Sequence, residues 1–170
     1  RSNQASFAPG AYVFPGGTVN EDEAQSLGVC RRRPNQSEDL SIRALAAVRE
    51  CFEELGVLLA YRSDGSMVAQ QDLTPLQRNA PLAAQCQKWG LTLALDQLHY
   101  MAHWITDRDL PKRFDVPFWV ARMPQKQTPM ADGHEQFEPV WVQAATALSR
   151  HEAGNFLMIF PTIQIGRAHV

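Results

Sequence analysis

The chain has 170 residues, enough for one domain that buries a sizeable core. A hydrophobic fraction of 45% and a charged fraction of 20% are those of an ordinary globular protein, and a net charge of −2 gives no general reason to expect nucleic acid or a membrane as partner. Cys30, Cys51 and Cys86 are odd in number and widely spaced, so they make neither a disulfide framework nor a zinc signature and suit a reducing, cytoplasmic compartment.

Taken in chain order, the sequence opens at Arg1 without a methionine, which reads as a trimmed start with part of an early strand missing. A strand is expected over 11–14, closed by Phe14-Pro15-Gly16-Gly17. Residues 24–38 include Arg31-Arg32-Arg33-Pro34-Asn35-Gln36-Ser37 and read as a polar surface loop, its arginines solvated or facing anionic phosphates. A helix follows from near Asp39 or Ser41 through Leu55, because Leu45, Val48, Phe52 and Leu55 recur at three- and four-residue steps. Ala46 and Ala47 fall on its other face, small enough to admit a substrate. Gly56 stops the helix and leads into a strand over 57–61. Helical spacing over 73–89 is broken at Pro81, and strands are expected over 98–105 and 114–122 from their aromatic and β-branched content. Trp104, Phe114 and Phe118 are expected in the sheet core, with one aromatic free to stack on a base. A short strand over 140–142, a helix over about 143–151 and a last helix over 153–160, ended by Pro161, complete a mixed α/β pattern without repeats. No apolar run approaches bilayer-spanning length, no secretory leader is expected, and Ala168-His169-Val170 would serve as a peroxisomal tripeptide only in a eukaryote.

The chemistry concentrates in Arg49-Glu50-Cys51-Phe52-Glu53-Glu54-Leu55-Gly56-Val57. Glu50, Glu53 and Glu54 stand at i, i+3 and i+4, on one stripe of the helix. Like charges at that spacing destabilise an isolated helix, so they call for a compensating cation. Hard carboxylate oxygens suit Mg²⁺ or Mn²⁺. The bland alternative is a solvated acidic face.

Gly17, then Glu23 after five residues, then Arg49, Glu50, Glu53, Glu54, Gly56 and Val57 together resemble the Nudix box, G-x5-E-x7-R-E-U-x-E-E-x-G-U, with U aliphatic. Cys51 stands at an aliphatic position, and residues 24–48 replace the usual seven, so the box carries a long insertion. With that insertion, Glu23, Glu38 or Asp39 could be the partner of Arg49. An insertion of this kind resembles the coenzyme A diphosphatase-like branch. So do His103-Trp104-Ile105-Thr106, Arg113-Phe114-Asp115 and the 156–162 segment. Of the signature R-S-x3-R-x3-G-x3-F-P-G-G, Arg1, Ser2, Gly10 and Phe14 to Gly17 fit, while Ser6 stands at the second arginine position.

The resemblance implies an α+β fold, a mixed β-sheet sandwiched between helices, as a single domain over 1–170. It also implies divalent metal on Glu50, Glu53 and Glu54, a structural Arg49 paired to a carboxylate such as Glu23, and a Gly16-Gly17 turn close to metal and phosphate. Nudix enzymes commonly take a further carboxylate from outside the box. Glu135 is the first choice for that base here and Glu138 the alternative, both in the 132–138 loop, with His99, His103 and His134 as histidine candidates. The expected reaction is metal-dependent hydrolysis of the diphosphate of coenzyme A or acyl-coenzyme A. Another nucleoside diphosphate derivative (an ADP-sugar, a dinucleotide or NADH) is the alternative that Ser6 keeps open, and a non-catalytic binding module is the third reading. The partner is a small molecule rather than nucleic acid or membrane, and a homodimer is left open.

Overall fold

A computed structural model describes residues 8–109 and 113–168. Arg1, Ser2 and Ser6 of the coenzyme A signature, and His169 and Val170 of the terminal tripeptide, lie outside the described residues. The chain forms two compact units. One takes residues up to Pro15 together with those from Ala131 onward, and the other runs from Gly16 to Met130.

The Gly16–Met130 unit is organised by α1, Glu38–Leu55. Ser37 caps its start, the Ser37 hydroxyl accepting from Leu40 N at 3.3 Å, with Glu38 and Asp39 in the positively polarised first turn. Gly56 ends it at φ 63°, the left-handed conformation that glycine adopts without strain. Leu45, Val48 and Phe52 are buried as their spacing predicts, in a core with Leu58, Val68, Cys86, Leu93 and Leu95. Leu55 is only half-buried, whereas Glu54, one position earlier, is buried.

Three short strands form a mixed sheet in the order β1 (Cys30–Arg31), β3 (Thr92–Ala94), β2 (Ala60–Tyr61), with β1 parallel and β2 antiparallel to β3. Residues 24–38 are therefore more than a surface loop. They hold a 3₁₀ turn over Gln25–Val29, strand β1 and a bond from Arg33 Nε to Asp96 O at 2.8 Å. Arg31 lies 4.4 Å over the Tyr61 ring, so two members of the arginine triplet are spent on structure.

The strand expected over 57–61 shrinks to Ala60–Tyr61 for an identifiable reason. The buried side-chain amide of Gln127 takes the place of a neighbouring strand, accepting from Leu58 N (2.9 Å) and donating to Leu58 O (2.9 Å) and Val68 O (3.0 Å). Pro81 splits the 73–89 segment as expected, leaving α2, Leu82–Trp89, with a 3₁₀ turn over Gln70–Leu73 ahead of it. An antiparallel pair, β4 (His99–Ile105) and β5 (Asp115–Val120), matches the two strands read from the sequence. Trp104, Phe114 and Phe118 on or beside this pair are half-buried rather than core.

The other unit contains α3, Ala144–Glu152, and α4, Phe160–Arg167. Its core is Ala147, Phe156 and Met158. Tyr12 stacks on Phe156 with ring centroids 3.8 Å apart and bridges to Met158. Three expectations fail in this unit. The 11–14 strand is reduced to that one bridge at Tyr12. Val140, Trp141 and Val142 have strand propensity but form no strand, and all three are exposed, Trp141 at 75%. The last helix starts at Phe160 instead of ending there, because Pro161 occupies its first turn, where a missing N–H costs nothing. Among the described residues no helix is long and apolar enough to cross a membrane.

Candidate active site

The site is assembled around one guanidinium on α1. Arg49 Nε donates to Glu23 Oε1 at 2.8 Å, its Nη1 donates to both Glu50 Oε1 and Glu53 Oε2 at 2.8 Å, and its Nη2 donates to Thr18 O at 2.6 Å. Glu23 is 3% exposed, and its second oxygen accepts from Asn20 N at 2.9 Å. The partner of Arg49 is thus Glu23. Asp39 pairs instead with Arg43 at 3.1 Å.

Burial works against the charge on Arg49, but the bonds and charges of Glu23 and Glu50 outweigh it and hold its pKa above the usual arginine value. Glu53 moves the other way from the usual paired carboxylate. Burial, helped by the negative charges of Glu50 and Glu23, raises its pKa despite the Arg49 contact. Glu54 is 3% exposed, and its charge adds to the burial that pushes the neighbouring Cys51 thiol up to about 12.

Gly17 is needed for close approach: a Cβ there would run into the Glu50 carboxylate. At Gly16 a Cβ would meet nothing, so of the expected pair Gly17 alone is sterically required. Gly56 is required twice, by its positive φ and by the Arg78 guanidinium lying where its side chain would stand. Arg78 also donates to Met130 O at 2.7 Å, while Met130 N donates to Leu55 O at 2.8 Å, tying the end of α1 to the 124–130 segment. Arg78, Gln127 and Asn20 escape sequence reasoning, since each acts through backbone contacts that no local pattern announces.

Among the described residues, no three His, Cys, Asp or Glu side chains stand in an arrangement that could hold a metal ion. Glu50 and Glu53 face Arg49 instead. The donor set nevertheless fits a hard divalent cation in chemistry. It offers carboxylate oxygens only, and three carboxylates, Glu23, Glu50 and Glu53, share one guanidinium. Ala46 is buried, and Ala47 is half-buried against the core.

Glu135 and Glu138 belong to the other unit. There Asp132 organises the loop, its carboxylate accepting from His134 N, Glu135 N and Gln136 N at 2.9–3.1 Å. Burial opposes the Asp132 charge, but these bonds outweigh it and lower its pKa. Glu138 accepts from the Tyr12 hydroxyl at 3.5 Å. Of the histidines, His103 is paired to Asp115 at 2.5 Å, and His99 and His134 are exposed.

No family model matches the chain. It is 26% identical over 164 residues to "Putative nudix hydrolase 7" of Caenorhabditis elegans, an alignment that covers 96% of this chain and 51% of the relative. The chain thus spans about half the length of that curated relative. The crystal structure of a NUDIX hydrolase from Alicyclobacillus acidocaldarius superposes on all of this chain and 80% of its own with a TM-score of 0.83, at 27% identity. The architecture is the α+β Nudix fold. In both sequence and fold the chain is similar to proteins described as Nudix hydrolases.

Proposed function

We propose that this domain hydrolyses the diphosphate linkage of coenzyme A or acyl-coenzyme A, giving adenosine 3′,5′-bisphosphate and a phosphopantetheine product. The observation that carries the hydrolase reading is the Glu23–Arg49–Glu50/Glu53 cluster, with Glu50 pressed against the backbone of Gly17. Glu50, Glu53 and Glu54 would hold Mg²⁺ or Mn²⁺, which when bound neutralises phosphate charge and lowers the pKa of a ligated water. Arg49 holds Glu50 and Glu53 in position and ties Thr18, next to Gly17, to the helix. Glu135 is the proposed base from outside the box, with Glu138 the alternative. A reducing, cytoplasmic setting belongs to this reading. Cys30, Cys51 and Cys86 are free thiols, and burial pushes them up to about 11, 12 and 12, so none is poised as a thiolate.

Ser6, at the position where the coenzyme A signature has arginine, favours the second reading, a pyrophosphatase for another nucleoside diphosphate derivative. Hydrolysis of coenzyme A, ADP-ribose and NADH, each with Mg²⁺, Mn²⁺ or chelator, separates the two. Metal-dependent turnover of coenzyme A above the others supports the first. Preference for either of the others supports the second, and no turnover of any leaves a binding module.

A further inference from the structure

Arg78 is half-buried, and its guanidinium lies where a side chain at Gly56 would stand. Positions 49, 53 and 56 fall on one side of an α-helix, and Gly56 lies about 4.5 Å along the axis beyond Glu53. Arg78 therefore stands at the C-terminal end of the stripe that carries Arg49 and Glu53. The turn that bears it is fixed from below by Gln85 of α2. Gln85 Oε1 accepts from Gln77 N at 2.7 Å, and its Nε2 donates to Gln77 O at 2.9 Å and Ala80 O at 3.0 Å.

A basic side chain beside a helix C-terminus ordinarily bonds the last carbonyls. Here Phe52 O already accepts from Gly56 N and Leu55 O from Met130 N, both at 2.8 Å. Arg78 spends only Nη1, on Met130 O. Among the described residues it pairs with no carboxylate, and its Nε and Nη2 have no acceptor and remain reachable from solvent. Those two nitrogens form the fork with which arginine grips two oxygens of one phosphate. Arg49, by contrast, is engaged on all three of its nitrogens. A polyanion approaching Glu50 and Glu53 is repelled, and a cation with donors to give offsets that repulsion. We propose that Arg78 binds a phosphate of the diphosphate substrate, Nε and Nη2 holding two oxygens while Nη1 stays on Met130 O. The assignment rests on the pyrophosphatase reading and adds to it a substrate-binding residue from outside the box. Gly56 then serves the site as well as the helix stop, since a side chain there would drive the guanidinium from its place.

Calorimetric titration with ADP in saturating Mg²⁺ tests this on the wild type, Arg78→Gln and Arg78→Lys, each with its melting temperature. Arg78→Gln is expected to weaken ADP binding at least about tenfold, the scale of losing charge-assisted hydrogen bonds. Arg78→Lys, which keeps the charge but not the fork, should recover part of the loss. Added salt should weaken ADP binding to the wild type more than to Arg78→Gln, a difference that a merely structural role would not produce. If Arg78→Gln fails to fold, Arg78→Lys carries the test and should bind ADP more weakly than the wild type at unchanged melting temperature. Equal ADP binding by wild type and folded variants overturns the assignment, as does a wild type that binds no ADP. If that wild type still hydrolyses coenzyme A, ADP-ribose or NADH, the pyrophosphatase reading stands. A wild type that hydrolyses none of the three overturns that reading and the assignment with it.

Discussion

Glu23 and Arg49 meet at 2.8 Å across 26 positions of sequence, with both side chains almost fully withdrawn from water. The long insertion between them leaves the contact intact because residues 24–38 leave and rejoin the fold through β1 and the Arg33–Asp96 bond. Removing the charge of one partner in a buried pair leaves the other undercompensated. Glu23→Gln is expected to cost about 1–3 kcal/mol, less than an isolated pair would, since Arg49 retains Glu50 and Glu53. Chemical denaturation of the metal-free variant checks this, and unchanged stability would mean the contact is dispensable.

Gly17→Ala separates site geometry from folding. The added methyl meets the far end of the Glu50 side chain, which can turn aside, so the melting temperature should move by no more than a few degrees. Glu50 would leave its place beside Arg49, and turnover should fall about tenfold or more. A loss of stability without a loss of rate would contradict this account.

Gln127→Ala is expected to destabilise the chain by about 2–4 kcal/mol, because Leu58 N, Leu58 O and Val68 O are left buried without their partner. Thermal unfolding gives the value. A loss under 1 kcal/mol would indicate that the backbone closes on itself once the amide is gone.

Asp72 supplies a pH dependence. Its carboxyl accepts from the Arg62 side chain and from Ala69 N, and these bonds hold its pKa below the ordinary aspartate value. A depressed folded pKa contributes stability above the unfolded value, near 4, that is lost as pH falls through the folded one. The stability gap between wild type and Asp72→Asn should therefore be widest at pH 6–7 and narrow steadily below about pH 4. A gap independent of pH would assign it to packing.

The legible parts of the fold were those fixed locally. The Ser37 cap, the 45-48-52 stripe and the Gly56 stop all act within one helix, and α1 follows from them. The β4–β5 pair was readable because its strands are long and close in sequence. Strand β1 was not, since two residues pair with a strand more than sixty positions away and no periodicity can develop over that length. Val140 to Val142 have strand propensity but pair with no strand among the described residues, and Pro161 is compatible with either end of a helix, so pattern alone misplaced both. In the site, the box spacing pointed to Glu23, Arg49, Glu50, Glu53 and Gly17. That one guanidinium nitrogen serves two of the carboxylates is a matter of rotamers, which the spacing does not determine.

The acidic stripe as the seat of catalysis is tested most directly by the hydrolysis rate of Glu53→Gln and Glu54→Gln beside the wild type, with saturating Mg²⁺ and whichever diphosphate substrate the wild type turns over. Each variant should stay folded by circular dichroism and lose at least about a hundredfold in rate, the scale on which removing a metal ligand or charge-stabilising group acts. Folded variants that hydrolyse at near wild-type rate would contradict the account and put the reactive centre elsewhere in the chain.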